Sequence, residues 1–335
     1  MKNKITSITK QTQTIHIILF YKFHEIKDPE YFKRKHLRFC KELGVLGKVL
    51  VAREGINGSI SGTKEQIEKY KKYVHSLEGF RDVWFKEEKA NNHPFTKIVV
   101  RIKKETIRID KKVDMSKKGA YISPREFLEL YEKKQEKQNN QEQDFIILDV
   151  RNYYEYHLGR FKHAIHPNIS SFREFPDFVK NFKKQLKDKH TKIITYCTGG
   201  IRCEKASAYL KEQSFTNVYQ LEGGIINFCQ QFPNTVWEGK CFVFDKRLMS
   251  DINQKNKSIT RCESCNEICD LYKNCRNLSC DKLTILCAKC EEKLQGCCSK
   301  KCLKEFQAYA KERSALKKQG LWKPKQEQLM QNYVK

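Results

Sequence analysis

From Thr14 to Lys22 apolar and polar positions alternate, the two-residue period of a β-strand. After Pro29 the period changes. Tyr31, Phe32, Leu37, Cys40 and Leu43 recur at helical intervals and would line one face of a helix over 29–43, which Gly44 ends. Gly47 to Arg53 is apolar and β-rich. Glu54-Gly55-Ile56-Asn57-Gly58 is a turn signal leading into a strand at 59–62. Thr63 and Gln66 fit the capping box of a second helix, beginning KEQIEKYKKYV. Strands are expected at 82–86 and 95–102. The order βαββαβ predicts a ferredoxin-like domain over 12–106. Its most polar loop carries Arg53, Glu54 and Asn57. That loop is either a hairpin turn alone or a substrate or active-site contact facing the next domain.

Ile107 to Lys118 reads as the crossing into a second domain. Three short buried strands follow, at 145–150, 193–196 and 218–221, with a helix over about 203–213. This pattern predicts an α/β domain with a parallel sheet over 119–232. It is interrupted by KKQEKQNNQEQ (133–143), a helix end running into a polar loop. A cysteine-rich segment over 233–310 and a basic tail over 311–335 complete the chain. Helical spacing continues after Cys302 to Lys318, and Trp322-Lys323-Pro324 opens a loose end.

The strongest chemical signal is Cys197, at the end of the 193–196 strand and before Thr198-Gly199-Gly200-Ile201-Arg202 and a helix. A sulfur so placed meets loop N–H groups and the positive end of a helix dipole. Both favour the thiolate and make it nucleophilic. Gly199 and Gly200 let the loop curl without Cβ clashes, and Arg202 can close the cradle. Phosphatase loops of this kind are usually longer; six residues suit a smaller group such as a sulfane sulfur. Cys203 is either a resolving thiol or a buried inert one.

Composition changes the picture in two ways. The net charge of +26 attracts polyanions at long range. Only 15 of the 66 basic residues are arginine, so part of the excess can be solvated lysine surface reflecting A/T-rich coding. No apolar run approaches the length that spans a bilayer. The stretch 15–21 is too short and too alternating for a signal peptide, so a cytoplasmic protein without membrane contact is expected.

Ten of the 15 cysteines fall between Cys262 and Cys302. Cytoplasmic chains rarely keep structural disulfides. Cys262-x2-Cys265 and Cys287-x2-Cys290 have the knuckle spacing of a tetrahedral zinc site. Cys275, Cys280, Cys298 and Cys302 can complete a second site, with Cys269 and Cys297 as competitors. An iron–sulfur cluster or redox relay is the other use of such a set. Ile268, Leu271, Leu278, Leu283, Ile285 and Leu286 are too few for an ordinary core, and metal affinity would supply the missing folding free energy.

Several segments together resemble a known family. The D-V-R…E-x-x-x-G…H-A-I run from Asp149, the Cys197–Arg202 loop and L-x-G-G-I from Leu221 resemble the rhodanese domain. In that resemblance Asp149, Arg151, Glu155 and His157 are structural more than chemical. GKVLVAREGINGSISGT, FPNTVWEGKCFVFDKR and GCCSKKC extend the likeness from about Thr14 to Phe306, to the rhodanese-related tRNA uridine 5-hydroxylases. The resemblance implies oxygen-dependent hydroxylation of the wobble uridine (position 34) of tRNA, with molecular oxygen as co-substrate and the loop cysteine essential. Neither composition nor spacing shows hydroxylation. There is no flavin, haem or NAD fingerprint and no 2-His-1-carboxylate spacing. The thiolate can act as an oxidised species formed with oxygen or by adding to C6 of the base. A persulfide sulfurtransferase is the competing enzyme reading, and an RNA-binding adaptor the non-enzymatic one.

Overall fold

The computed structural model describes residues 14–136, 145–186, 188–250, 252 and 257–321. In chain order its elements begin with β1 (Ile15–Phe23), α1 (Pro29–Leu43), β2 (Leu46–Ala52), β3 (Gly55–Gly62), α2 (Lys64–Ser76), β4 (Lys86–Ala90) and β5 (Ile98–Ile102). Next come β6 (Ala120–Ile122), α3 (Pro124–Glu136), β7 (Phe145–Asp149), α4 (Tyr153–Leu158), β8 (Gly159–Phe161), α5 (Phe175–Gln185), β9 (Lys192–Tyr196), α6 (Ile201–Glu212), β10 (Val218–Leu221) and α7 (Gly224–Gln231). The chain closes with β11 (Trp237–Gly239), β12 (Cys241–Phe242), β13 (Met249–Ser250), β14 (Tyr272–Asn274), β15 (Leu283–Ile285), α8 (Ala288–Lys293) and α9 (Lys300–Lys318).

The first sheet runs β4-β1-β3-β2-β5. β1 pairs antiparallel with both β3 and β4, and β5 joins parallel to β2. This is the ferredoxin-like arrangement expected, with β5 added at an edge. The even-numbered Ile18 and Phe20 and the odd-numbered Val49 and Val51 point into a core shared with Cys40, Ile67, Tyr70 and Val74 of the two helices. Local chemistry sets the helix ends. Asp28 caps α1 through the N–H of Tyr31, Gly44 closes it in the left-handed region, and Thr63 and Gln66 form the capping box of α2.

Four details depart from the sequence expectation. β3 begins at Gly55, so only Arg53 and Glu54 turn, and Ile56 to Gly58 lie in the strand. β4 starts where a strand was expected to end, at Lys86. β5 begins at Ile98 rather than Phe95. Tyr31 is half exposed, and α1 buries His36 instead, bonded to Tyr70 Oη at 2.9 Å. A buried imidazole can hide its polar edge against a hydroxyl, so polarity in the sequence concealed a core position.

The second sheet is parallel, ordered β6-β10-β9-β7. β7 and β9 are buried, largely apolar runs, covered on both faces, whereas β6 at the edge leaves Ala120 and Tyr121 exposed. Asp149 and Arg151 are both fully buried and paired at 2.6 Å, a packing and charge-pairing role. α6 starts at Ile201, two residues before the expected position. The crossing segment is tied down: Ile109 joins the core of this sheet, and Gly119 N–H donates to Ser207 Oγ at 2.9 Å.

Chain contacts separate two compact units. The first holds both sheets just described and the turn segment 243–247; the second holds 153–163, 234–242 and everything described from Leu248 onward. In the second unit β8 pairs with β11, and Leu158, Phe242, Tyr272 and Ile285 make a small core. Ile268 and Leu271 are exposed, which leaves even fewer apolar side chains inside than the sequence count allowed. Residues 137–143 of the expected polar loop and the segment from Trp322 onward lie outside the described residues.

One ion triad joins the first sheet to α6. Lys205, 3 % exposed, bonds Glu54 at 2.8 Å and Glu105 at 2.6 Å, and donates to Ile107 O at 3.0 Å. Removing the cation leaves two carboxylates facing each other. Lys205→Met is expected to destabilise the protein by about 3 kcal/mol, measured as the shift of its first urea-unfolding transition against wild type.

Candidate active site

Cys197 follows directly after β9, and its side chain is fully buried. Gly200 sits at the N-cap of α6 with φ +103°, a conformation that L side chains rarely adopt. That twist turns its N–H onto Cys197 Sγ at 3.1 Å. Gly224, at the start of α7, is equally constrained. A Cβ there would stand 2.4 Å from Cys197 O, the carbonyl that accepts from Ile225 N–H at 3.0 Å. The two helix starts therefore grip the loop from both sides.

Burial alone would push the Cys197 thiol up. A hydrogen bond from Cys203, the Arg202 guanidinium, and the N–H groups of Cys203 and Arg202 outweigh it and bring the value to about 6. Cys203 moves the other way: burial and the neighbouring Cys197 sulfur hold it protonated. Arg202 lies in the first turn of α6, bonds Thr198 Oγ1 at 3.5 Å, and stands 5.7 Å from the ring centre of Phe244.

Cys197 lines a cavity of about 690 Å³. Its other wall is the face of the first sheet turned away from the helices: Leu19 and Tyr21 of β1, Lys48 and Leu50 of β2, Lys86 and Glu88 of β4. Contact between wall and loop is close. A Cβ on Gly199 would lie 2.6 Å from Leu19, and one on Gly200 would lie 2.9 Å from Tyr21 Oη. Tyr21 donates to Glu204 of α6 at 3.0 Å, and Tyr121 to the same oxygen at 2.6 Å. Burial first, then Glu204, raises Tyr21 well above its ordinary value and keeps the phenol protonated. Lys48, Lys103, Lys104 and Arg108 line the cavity and are exposed at its rim. The segment 243–247 closes another side, with Phe244 exposed and Arg247 bonded to Asp245 at 2.7 Å and Glu88 at 2.8 Å.

The structure brings Cys197, Thr198, Gly199, Ile201 and Arg202 to the cavity, with Gly200 supplying its N–H from behind. The polar loop faces the second sheet's domain through Glu54, while Asn57 lines the cavity itself. Tyr21, Lys86, Glu204 and Phe244 were not singled out by the sequence reading. One signal was available: the alternation expected over 14–22 gives way to consecutive apolar positions from Ile17 to Tyr21, so β1 is apolar on both faces, which a sheet open to water on one side would not need.

The cysteine-rich unit gathers its thiols into two sets. Cys262, Cys265, Cys287 and Cys290 form one, and Cys275, Cys280, Cys298 and Cys302 the other, each with all sulfurs within 4.8 Å. Cys269 and Cys297 stand outside both sets. Sulfur separations of 3.6 Å (Cys265–Cys287), 3.7 Å (Cys280–Cys298) and 3.5 Å (Cys298–Cys302) match the edge of a tetrahedron with metal–sulfur bonds near ~2.3 Å. No helix among the described residues is long and apolar enough to cross a membrane.

A parallel α/β sheet that presents a cysteine loop at a helix start, beneath an acylphosphatase-like sheet, defines a rhodanese-like protein. Family models agree: "UPF0176 acylphosphatase like domain" matches residues 15–106, "Rhodanese-like domain" 117–231 and "Rhodanase C-terminal" 238–303. Among curated proteins, a tRNA uridine(34) hydroxylase of Aster yellows witches'-broom phytoplasma is 43% identical over 293 residues, covering 85% of this chain and 91% of that one. Proteins of the same name from Staphylococcus epidermidis and Acholeplasma laidlawii are 42% and 41% identical, covering 86% and 85% of this chain and 88% of each relative. The chain belongs to the tRNA uridine(34) hydroxylase family.

The thiolate assignment has a direct check. In pH-dependent iodoacetamide labelling read by peptide mass spectrometry, the Cys197 rate should rise through about pH 6 and then level off. Cys203→Ala removes a donor to the thiolate, so the inflection should move to higher pH. An unchanged inflection would show that Cys203 does not hold the charge.

Proposed function

We propose that this chain hydroxylates C5 of uridine 34 in tRNA, with Cys197 as the catalytic nucleophile and Arg202 and the loop N–H groups stabilising its charge. The observation that carries this reading is a buried cysteine, held by the Gly200 N–H beside Arg202, in a cavity of about 690 Å³ whose rim bears exposed lysine and arginine. That volume lies within the range of about 300–1,000 Å³ typical of ligand pockets. Enzymes that act on a base take it out of the stack into such a pocket. An anticodon loop is single-stranded, so extruding its first base costs little. Lys103, Lys104 and Arg108 supply cations for the flanking phosphates.

Addition of the thiolate to C6 turns C5 into the electron-rich centre that receives oxygen. Molecular oxygen is the co-substrate. One atom enters the base, and two electrons with two protons from a reductant carry the other to water. The domain closing over the loop excludes bulk water and aligns the base. Action on tRNA implies a cytoplasmic protein.

In cells lacking this gene, nucleoside mass spectrometry of tRNA should show loss of 5-hydroxyuridine derivatives. Wild type should restore them and Cys197→Ser should not. Unchanged hydroxylation with reduced thionucleosides would favour sulfur transfer instead.

The two four-cysteine sets fit structural zinc: soft thiolates, tetrahedral spacing, and too small an apolar core around them. Purified protein is expected to carry about two zinc ions per chain by elemental analysis. Cys262→Ser with Cys287→Ser should halve that content. Chelation should unfold the C-terminal unit without shifting the Cys197 labelling profile.

A further inference from the structure

Lys86 opens β4, opposite Leu19 of β1, on the sheet face that looks into the cavity. It is 3 % exposed. Other buried cations in this unit are engaged: Arg151 with Asp149, Lys205 with Glu54 and Glu105, and Arg202 with Thr198. The Lys86 ammonium has no hydrogen bond and no ion pair among the described residues. It rests instead between two rings, 4.2 Å from the centre of Trp84 and 5.2 Å from that of Tyr21. Of the nearby carboxylates, Glu204 is taken by Tyr21, Tyr121 and Lys118, and Glu222 is exposed. Burial draws the group down to about 8, against the pull of Cys197, Glu204 and Glu222. A desolvated ammonium with three donors and no acceptor is costly unless a ligand supplies one.

We propose that Lys86 is the base-reading residue of the cavity, donating a hydrogen bond to O4 of the uracil ring. This rests on the reading that uridine 34 enters there. When Cys197 Sγ bonds to C6, the C5–C6 π pair shifts toward C4 and O4, and the negative charge gathers on O4. An ammonium hydrogen-bonded to O4 is then stronger in the adduct than in the ground state, which accelerates the step. The bond reverts when the thiolate leaves, and Lys86 neither gains nor loses a proton. The same contact selects the base. Cytosine carries an amino donor at that position, and lysine only donates, so C34 would leave the ammonium unmatched.

The test uses the purified full chain and short anticodon stem-loop RNAs that differ only in U34 or C34. Surface and pocket lysines are acetylated with an N-hydroxysuccinimide ester, and Lys86 is quantified by peptide mass spectrometry. U34 RNA is expected to slow Lys86 acetylation about tenfold, while C34 RNA slows it less than about twofold, the asymmetry of a site built to hydrogen-bond one base. Equal protection by both RNAs, or none while the RNA binds, overturns the proposal. Absence of any RNA binding overturns the tRNA reading itself and this proposal with it. In cells lacking the gene, Lys86→Met should reduce 5-hydroxyuridine about tenfold or more, with Lys86→Arg retaining part of it. If Lys86→Met instead moves the Cys197 labelling inflection by about one pH unit or more, Lys86 acts through the thiolate and not on the base, and the proposal fails.

Discussion

Removing a thiolate from water raises its free energy, and Cys197 is fully buried. The charge survives because donors already fixed by the fold meet it: the Gly200 N–H, the first N–H groups of α6, the Cys203 thiol and the Arg202 guanidinium. All of these are held in place by the fold itself. Gly224 is required for the same reason, since a Cβ there would meet the loop backbone, and Gly200 because side chains rarely adopt its φ of +103°. The rest of the first unit is arranged around keeping that loop in place and dry.

The acylphosphatase-like sheet does this with its second face. One face packs on α1 and α2 in the usual way, and the other forms the cavity wall over Cys197. The junction is polar and specific. Lys205 bridges Glu54 and Glu105, while Glu204, its neighbour on α6, receives Tyr21 and Tyr121. Such charged contacts add little net stability when buried, but they fix a register that apolar packing would leave free to slide. The Cys197 cradle and the wall opposite it thus keep a set distance, which a reaction between bound groups requires.

In the second unit, apolar burial is sparse and sulfur takes its place. Leu286 and Leu294 are the large aliphatic side chains buried in one cysteine cluster, and the other is built from Cys275, Cys297 and Cys302. Ordering so short a chain costs more conformational entropy than these side chains return. A device that ties distant cysteines together is the natural remedy, and the two tetrahedral sets supply its geometry.

Much of this was already written in the chain. The β-rich run of β1, the capping residues Asp28, Thr63 and Gln66, and the apolar strands β7 and β9 of the parallel sheet depend on neighbours a few residues away, so local sequence determines them. The cysteine–glycine loop before α6 is legible for the same reason: its chemistry is local. The partners that complete the site are not. Lys86, Tyr21 and Phe244 lie more than forty residues from Cys197 in the chain, and apart from the two apolar faces of β1 around Tyr21 nothing in their own surroundings marks them as cavity residues. Spacing offered the two four-cysteine sets, and tertiary structure decided for them against the competitors Cys269 and Cys297; it alone decided that β4 turns a lysine inward with no ion pair among the described residues. Spacing along a chain limits which side chains can meet, but only the packing of sheet against loop fixes which ones do.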